Sequence, residues 1–150
     1  MVLNKLKKFY KNKKVLVTGN TGFKGIWLFL ILKFLGAKVR GYSLPLKKED
    51  NFFFFKILRK YLFKETIFNN IGNYEILLKT VSSFKPQIIF HLAAQSLVIE
   101  SQKNPQETLE TNIIGTNNII KCCIESKTIK SLVIATSDKC YLNKDKNKPF

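Results

Sequence analysis

The chain has 150 residues, 45% of them hydrophobic and 13% aromatic, enough for one domain with a buried core and too apolar for an intrinsically disordered chain. Its formal net charge of +16, from 26 Lys+Arg against 10 Asp+Glu, raises the question of nucleic acid, but the lysines are scattered among Asn, Ile and Phe, with no basic stripe carrying aromatics for base stacking, so no nucleic-acid partner is expected. Of the three cysteines, Cys122 and Cys123 are adjacent and Cys140 stands apart, which gives neither a disulfide framework nor a Cys-x-x-Cys metal pattern.

The N-terminal cluster Lys5, Lys7, Lys8, Lys11, Lys13 and Lys14 reads as a solvated lead-in to a first strand, Val15 to Thr18. It runs into that strand without an apolar h-region or cleavage site, so no signal peptide is expected and the cytoplasm is the default location. Gly19-Asn20-Thr21-Gly22-Phe23-Lys24-Gly25 follows, and then a helix pattern over 22–35 that Gly36 closes. That helix is interrupted by Lys33 and falls well short of the ~20 residues of a membrane span, so no membrane partner is expected. Its apolar residues run nearly all round, which predicts burial on more than one side, with Trp27 in a core or interface.

Strand, glycine turn and helix in that order suit a dinucleotide pyrophosphate. Gly19 turns the chain, Gly22 keeps side-chain bulk away from phosphate, and Gly25 brings helix and strand together, while the helix N-terminus offers N–H groups and partial positive charge. The plainer alternative is a strand–turn–helix link that uses glycine only for its backbone freedom.

Ala37 to Ser43 forms a second strand. The residue at its end selects the cofactor in such folds, and Ser43, with no carboxylate before Glu49 and Asp50, does not specify NAD over NADP. Residues 46–63 read as a polar connection and a helix carrying Phe52 to Phe55, covering an edge of the fold. A short third strand spans 66–71, a helix 74–84, and Gln87 to Leu92 is a continuous apolar fourth strand of the kind buried on both faces. Ala93-Ala94-Gln95 leaves it, a long helix covers 105–126, and 129–136 is the fifth strand. The alternation predicts an α/β fold: a Rossmann-like, doubly wound parallel sheet in a single unit over residues 1–150.

Several stretches resemble extended short-chain dehydrogenases that act on nucleotide sugars: Gly72-Asn73, His91-Leu92-Ala93-Ala94-Gln95, Thr111-Asn112-Ile113-Ile114-Gly115-Thr116 and Thr136-Ser137-Asp138-Lys139-Cys140-Tyr141. Ser-Asp-Lys-Cys-Tyr, with Thr18-Gly19-Asn20-Thr21-Gly22-Phe23-Lys24-Gly25, looks like the CDP-glucose 4,6-dehydratase branch, although that branch has histidine at the position of Asn20. The resemblance implies an NAD-dependent lyase acting on a nucleotide sugar, CDP-glucose, through transient hydride transfer from C4 of the hexose.

The catalytic residues it implies are Ser137 at the C4 oxygen, Asp138 as the acid for the departing C6 hydroxyl, and Lys139 as the base for the C5 proton, a role that needs a depressed ammonium pKa. The cofactor-binding residues are Gly19, Asn20, Thr21, Gly22, Phe23, Lys24, Gly25, Ser43, Asn73, Ala93, Ala94, Gln95, Asn112 and Thr136, and no metal site is implied. Of these, Ala93, Ala94 and Gln95 line the nicotinamide ribose, and Asn73 stands where the family has an aspartate facing the adenine. Residues 137–139 as a turn cap and Asn112 as an ordinary helix amide remain open alternatives, and His91, the only histidine, reads as a core residue at a strand end.

The superfamily's Tyr-x-x-x-Lys pair is absent after the fifth strand, because Tyr141 is followed at that spacing by Asp145. The expectation is therefore an N-terminal portion whose sheet stops after about five strands, without the C-terminal substrate domain and inactive by itself. The alternative is a non-catalytic NAD(P)-binding remnant, or one half of a split enzyme. Partners would be a second copy of the chain or a complementing C-terminal chain.

Overall fold

Short β-branched runs, each ended by glycine or a polar turn, build a five-stranded parallel sheet in a computed structural model that describes residues 1–45, Leu62 and residues 64–137. The strands are β1 (Lys14–Thr18), β2 (Lys38–Ser43), β3 (Thr66–Phe68), β4 (Ile88–His91) and β5 (Ser131–Ile134), in the order β3-β2-β1-β4-β5. β1 lies at the centre, with Val17 beside Gly41 on one side and Phe90 on the other. From β1 the chain winds outward to β2 and β3, then crosses back to β4 and β5. The order reverses between β1 and β4, and a crevice opens beyond the carboxyl ends of strands at such a switch point.

Alternation along β1 sends its side chains into two cores. Val15 and Val17 pack against Ile26, Phe29 and Leu32 of α2 (Phe23–Phe34), together with Val39 and Ile88. Leu16 faces the opposite side with Ile89, against Leu77 and Val81 of α3 (Tyr74–Phe84) and Ile119 and Cys122 of α6 (Gly115–Glu125). Helices thus cover both faces of the sheet, as a doubly wound fold requires. Between β4 and α6 the chain forms α4 (Val98–Lys103) and α5 (Pro105–Leu109), then a π-helical segment over Glu110–Ile114 that runs directly into α6.

Three expectations change. The lysine-rich N-terminus is a helix, α1 (Val2–Tyr10), with no buried residue; it is placed against the end of α2 by the Lys7 ammonium, 4.6 Å from the centre of the Phe34 ring. Its apolar and basic residues fall on opposite sides of a helix, a pattern that counting lysines conceals. Within the described residues of this chain α2 is buried along one face, with Phe23, Ile31 and Phe34 exposed and Trp27 46% exposed, outside the core. The third strand keeps three residues: Asn69 N–H still donates to the Ser43 carbonyl at 3.0 Å, and the chain then turns at 71–72. The covering helix read into 46–63 lies outside the described residues except for Leu62, which is buried in the α2-side core. No helix among the described residues is long and apolar enough to cross a membrane.

Candidate functional site

β1 ends in the turn at Gly19, whose φ of +69° a side chain would strain and whose Cβ would lie 2.7 Å from the Ala93 nitrogen. The turn is closed by Gly22 N–H donating to the Gly19 carbonyl at 3.0 Å, and α2 starts immediately afterwards. Gly25 packs onto this turn so closely that a Cβ would sit 2.8 Å from the Asn20 Cα and inside the shell of the Gly19 carbonyl oxygen. Gly19 and Gly25 are therefore demanded by the protein itself. Gly22 is not: its φ is −75°, and a Cβ there would meet only the Gly19 carbonyl oxygen, at 3.3 Å.

The first helical rung of α2 is Ile26 N–H to the Gly22 carbonyl, so the N–H groups of Phe23, Lys24 and Gly25 precede the ladder. Among the described residues no side chain caps this end, and no acid stands in the first turn. The backbone beside Gly22 therefore offers donors and positive dipole with no group among the described residues answering them, which fits a dinucleotide diphosphate.

A cleft of about 210 Å³ opens from this turn across the carboxyl ends of β1 to β4. Gly19, Thr21 and Gly22 form its phosphate side, and Tyr42, Ser43 and Leu44 its β2 side. Asn69, Asn70 and Ile71 close it beyond β3, while Leu92, Ala93 and Ala94, with Thr111, line the β4 side. Ser43 and Thr21 share a 2.5 Å hydroxyl–hydroxyl hydrogen bond, so the β2 end presents neutral groups. Tyr42 donates to the Asn70 carbonyl at 3.1 Å and steadies the turn after β3. Burial first, and the Cys122 thiol second, push the Tyr42 phenol up to about 12, so it remains a donor.

Of the residues singled out in the sequence, Gly19, Thr21, Gly22, Ser43, Ala93 and Ala94 line the cleft, while Asn73 and Asn20 turn away from it. Asn73 does not line it: its Oδ1 accepts from Ile76 N–H at 3.1 Å as the N-cap of α3, and the amides at the cleft are Asn69 and Asn70. A short polar residue three positions before a helical N–H satisfies a helix end before it can reach a ligand. Asn20 turns inward, fully buried, with Nδ2 donating to Thr66 Oγ1 at 2.8 Å and Oδ1 without a hydrogen-bond partner among the described residues. Its amide lies against the Cα of Gly41, where any side chain would collide with it.

Asn112 sits in the π segment and holds the loop after β4 by two bonds, accepting from Gln95 N–H at 2.8 Å and donating to the Gln95 carbonyl at 2.9 Å. Thr136 and Ser137 are exposed just beyond β5, at the same end of the parallel sheet, while Asp138 and Lys139 lie outside the described residues.

Sequence reasoning missed Asn118, which donates to the Ile71 and Gly72 carbonyls at 3.1 and 3.0 Å and fixes the turn after β3. It also missed the partners of His91, which is 2% exposed: Thr18 Oγ1 at 2.7 Å from Nδ1 and Thr116 Oγ1 at 3.1 Å from Nε2. Burial pushes the His91 imidazole down to about 4, so it is neutral near pH 7. Positions just past strand ends were the available signal for Asn69 and Asn70. No group of three or more His, Cys, Asp or Glu among the described residues could hold a metal ion.

A CDP-glucose 4,6-dehydratase of Salmonella typhimurium is 42% identical over 139 residues, covering 93% of this chain and 38% of that enzyme. The chain thus spans about two fifths of the length of the first curated relatives it matches. Among solved structures, an epimerase of Methanothermobacter thermautotrophicus covers all of the chain and 43% of its own length, with a TM-score of 0.79 at 23% identity, which speaks to the fold. A Thermus thermophilus UDP-glucose 4-epimerase solved as a complex with NAD has a TM-score of 0.64 at 26% identity, over 79% of this chain and 36% of that one. The family profile described as GDP-mannose 4,6 dehydratase matches residues 16–148, from the first strand through the glycine turn and past β5, and the chain belongs to that family.

Proposed function

We propose that the cleft holds NAD and that the chain forms the dinucleotide-holding part of a dehydratase converting CDP-glucose to its 4-keto-6-deoxy form. The observation that carries this reading is the uncapped N-terminus of α2 beside Gly22, at the point where the strand order reverses. The choice of NAD is supported by the NAD complex of the Thermus epimerase, and the choice of CDP-glucose by the Salmonella dehydratase. The neutral Thr21–Ser43 pair leaves NADP open as an alternative dinucleotide.

Bound there, NAD supplies a hydride acceptor that gives the hydride back. The N–H groups at the start of α2 would hold its diphosphate, Ser43, Asn69 and Asn70 would line the adenosine side, and Ala93 and Ala94, with Gln95 next along the loop, would line the nicotinamide ribose side. Beyond β5, Ser137 donates to the sugar C4 oxygen, Lys139 removes the C5 proton that a C4 ketone makes acidic, and Asp138 protonates the departing C6 hydroxyl.

The alternative reading is a non-catalytic NAD(P)-binding unit or one half of a split enzyme. The two readings part in a complementation assay. These 150 residues with NAD and CDP-glucose are expected to give no 4-keto sugar. Adding a polypeptide that carries the Tyr-x-x-x-Lys pair and the sugar-binding half of a CDP-glucose relative is expected to give it, from CDP-glucose and not from GDP-mannose. Continued NAD binding with no product under complementation would decide for the non-catalytic unit.

A further inference from the structure

Thr116 Oγ1 donates to the Asn112 carbonyl at 2.7 Å, and a hydroxyl has only one proton to give. Toward His91 Nε2 the same oxygen must accept, which places the imidazole proton on Nε2. Nδ1 is then the acceptor for the Thr18 hydroxyl, and Thr18 Oγ1 is left to accept the Ala93 N–H at 3.3 Å. The bonds run in one direction without a mismatch, from Ala93 N–H through Thr18, His91 and Thr116 to the Asn112 carbonyl. The Asn112 side chain returns to the same loop by its two bonds to Gln95. The stretch Ala93 to Gln95 is thereby held at both ends by one closed ring that passes through the imidazole.

A histidine that only fills core space needs a partner for each nitrogen and nothing more. Here both partners lead to one loop, and the ring closes through a π turn, a helix defect that recurs at functional sites. The ring touches the β4 side of the cleft and does not include Ser43, Asn69 or Asn70 on the opposite side.

We propose that His91 is a positioning residue for the dinucleotide: as the neutral Nε2–H form it locks the Ala93–Gln95 loop in the shape that receives the nicotinamide ribose, an inference that rests on the reading of the cleft as an NAD site. The lock acts on one half of the ligand, and this separates it from general support of the fold.

Thr116→Val replaces the hydroxyl with a methyl of the same shape and opens the ring, whereas Thr116→Ser keeps it closed. The 150-residue chain and its variants are titrated calorimetrically with NAD and with ADP, which lacks the nicotinamide half. Thr116→Val is expected to weaken NAD binding about tenfold and ADP binding by less than about twofold, with Thr116→Ser restoring NAD affinity. His91→Gln, which keeps a donor toward Thr116 and drops the link to Thr18, gives the same selective loss and serves where Thr116→Val does not fold. Equal weakening of NAD and ADP, or no weakening of either, overturns the proposal. If the unaltered chain binds neither ligand, the reading of the cleft as a nucleotide site falls and takes the proposal with it; if it binds ADP and not NAD, the cleft holds a nucleotide diphosphate, and both the NAD assignment and the lock are refuted.

Discussion

Gly25→Ala is expected to cost the chain about 3 kcal/mol or more, and with it the phosphate turn. In an ordinary helix interior the same change gains up to about 1 kcal/mol, because glycine loses more freedom on folding. At Gly25 the methyl would stand 2.8 Å from the Asn20 Cα and closer still to the Gly19 carbonyl oxygen. Both are backbone atoms of a turn fixed by the left-handed Gly19 and by its approach to Ala93, so no flexible side-chain end can yield. α2 must lift from β1, and Ile26, the next buried residue, sits in the core that would open. Against a typical total of roughly 5–15 kcal/mol, most of the margin is consumed. Urea unfolding measures it, and a variant within about 1 kcal/mol of the parent would show that the helix and the turn are not locked together in this way.

Stability is expected to fall as the pH drops from 6.5 to 4, with His91 as the largest single source. Its imidazole is lowered from 6.5 to about 4 by burial. The sign follows from proton counts: between these values the unfolded chain binds a proton that the folded chain refuses, so the unfolded state gains as pH falls. Above pH 6.5 both states are neutral and the group is silent, and below about 4 both are protonated and the loss levels off. The full span corresponds to roughly 3 kcal/mol. Denaturant midpoints at pH 7, 5.5 and 4.5 report it, and His91→Gln should flatten the part of the slope above the carboxylate range. A slope identical in parent and variant would mean that the ring around His91 opens to water in the native state.

The pattern that made the fold legible is the pattern that packs it. Continuous apolar runs such as Val15–Val17 and Ile88–Phe90 are buried on both faces, and each is followed by a turn and a helical period, which leaves a parallel sheet as the only economical arrangement. The glycine turn was legible for the same local reason. What escaped is set by contacts between distant residues. Asn73 and Asn70 are three positions apart in similar sequence, and only the start of α3 decides that the first caps a helix while the second meets the cleft. Asn20 stands in the middle of the phosphate turn, yet Gly41 on the neighbouring strand makes room for its amide and draws it inward. The His91 ring joins residues 25 and 73 positions apart, and no spacing rule connects Thr18 to Thr116.

Gly22 tests the account most directly, because the protein has little need of glycine there and a bound diphosphate does. Calorimetric titration of NAD is compared for the parent chain and Gly22→Ala, with a thermal melt of each. The parent is expected to bind, and Gly22→Ala to melt within a few degrees of it while binding NAD at least about tenfold more weakly. Equal NAD affinity in the two proteins would contradict the assignment of the α2 N-terminus as the phosphate site, and no binding by the parent would contradict the cleft as an NAD site.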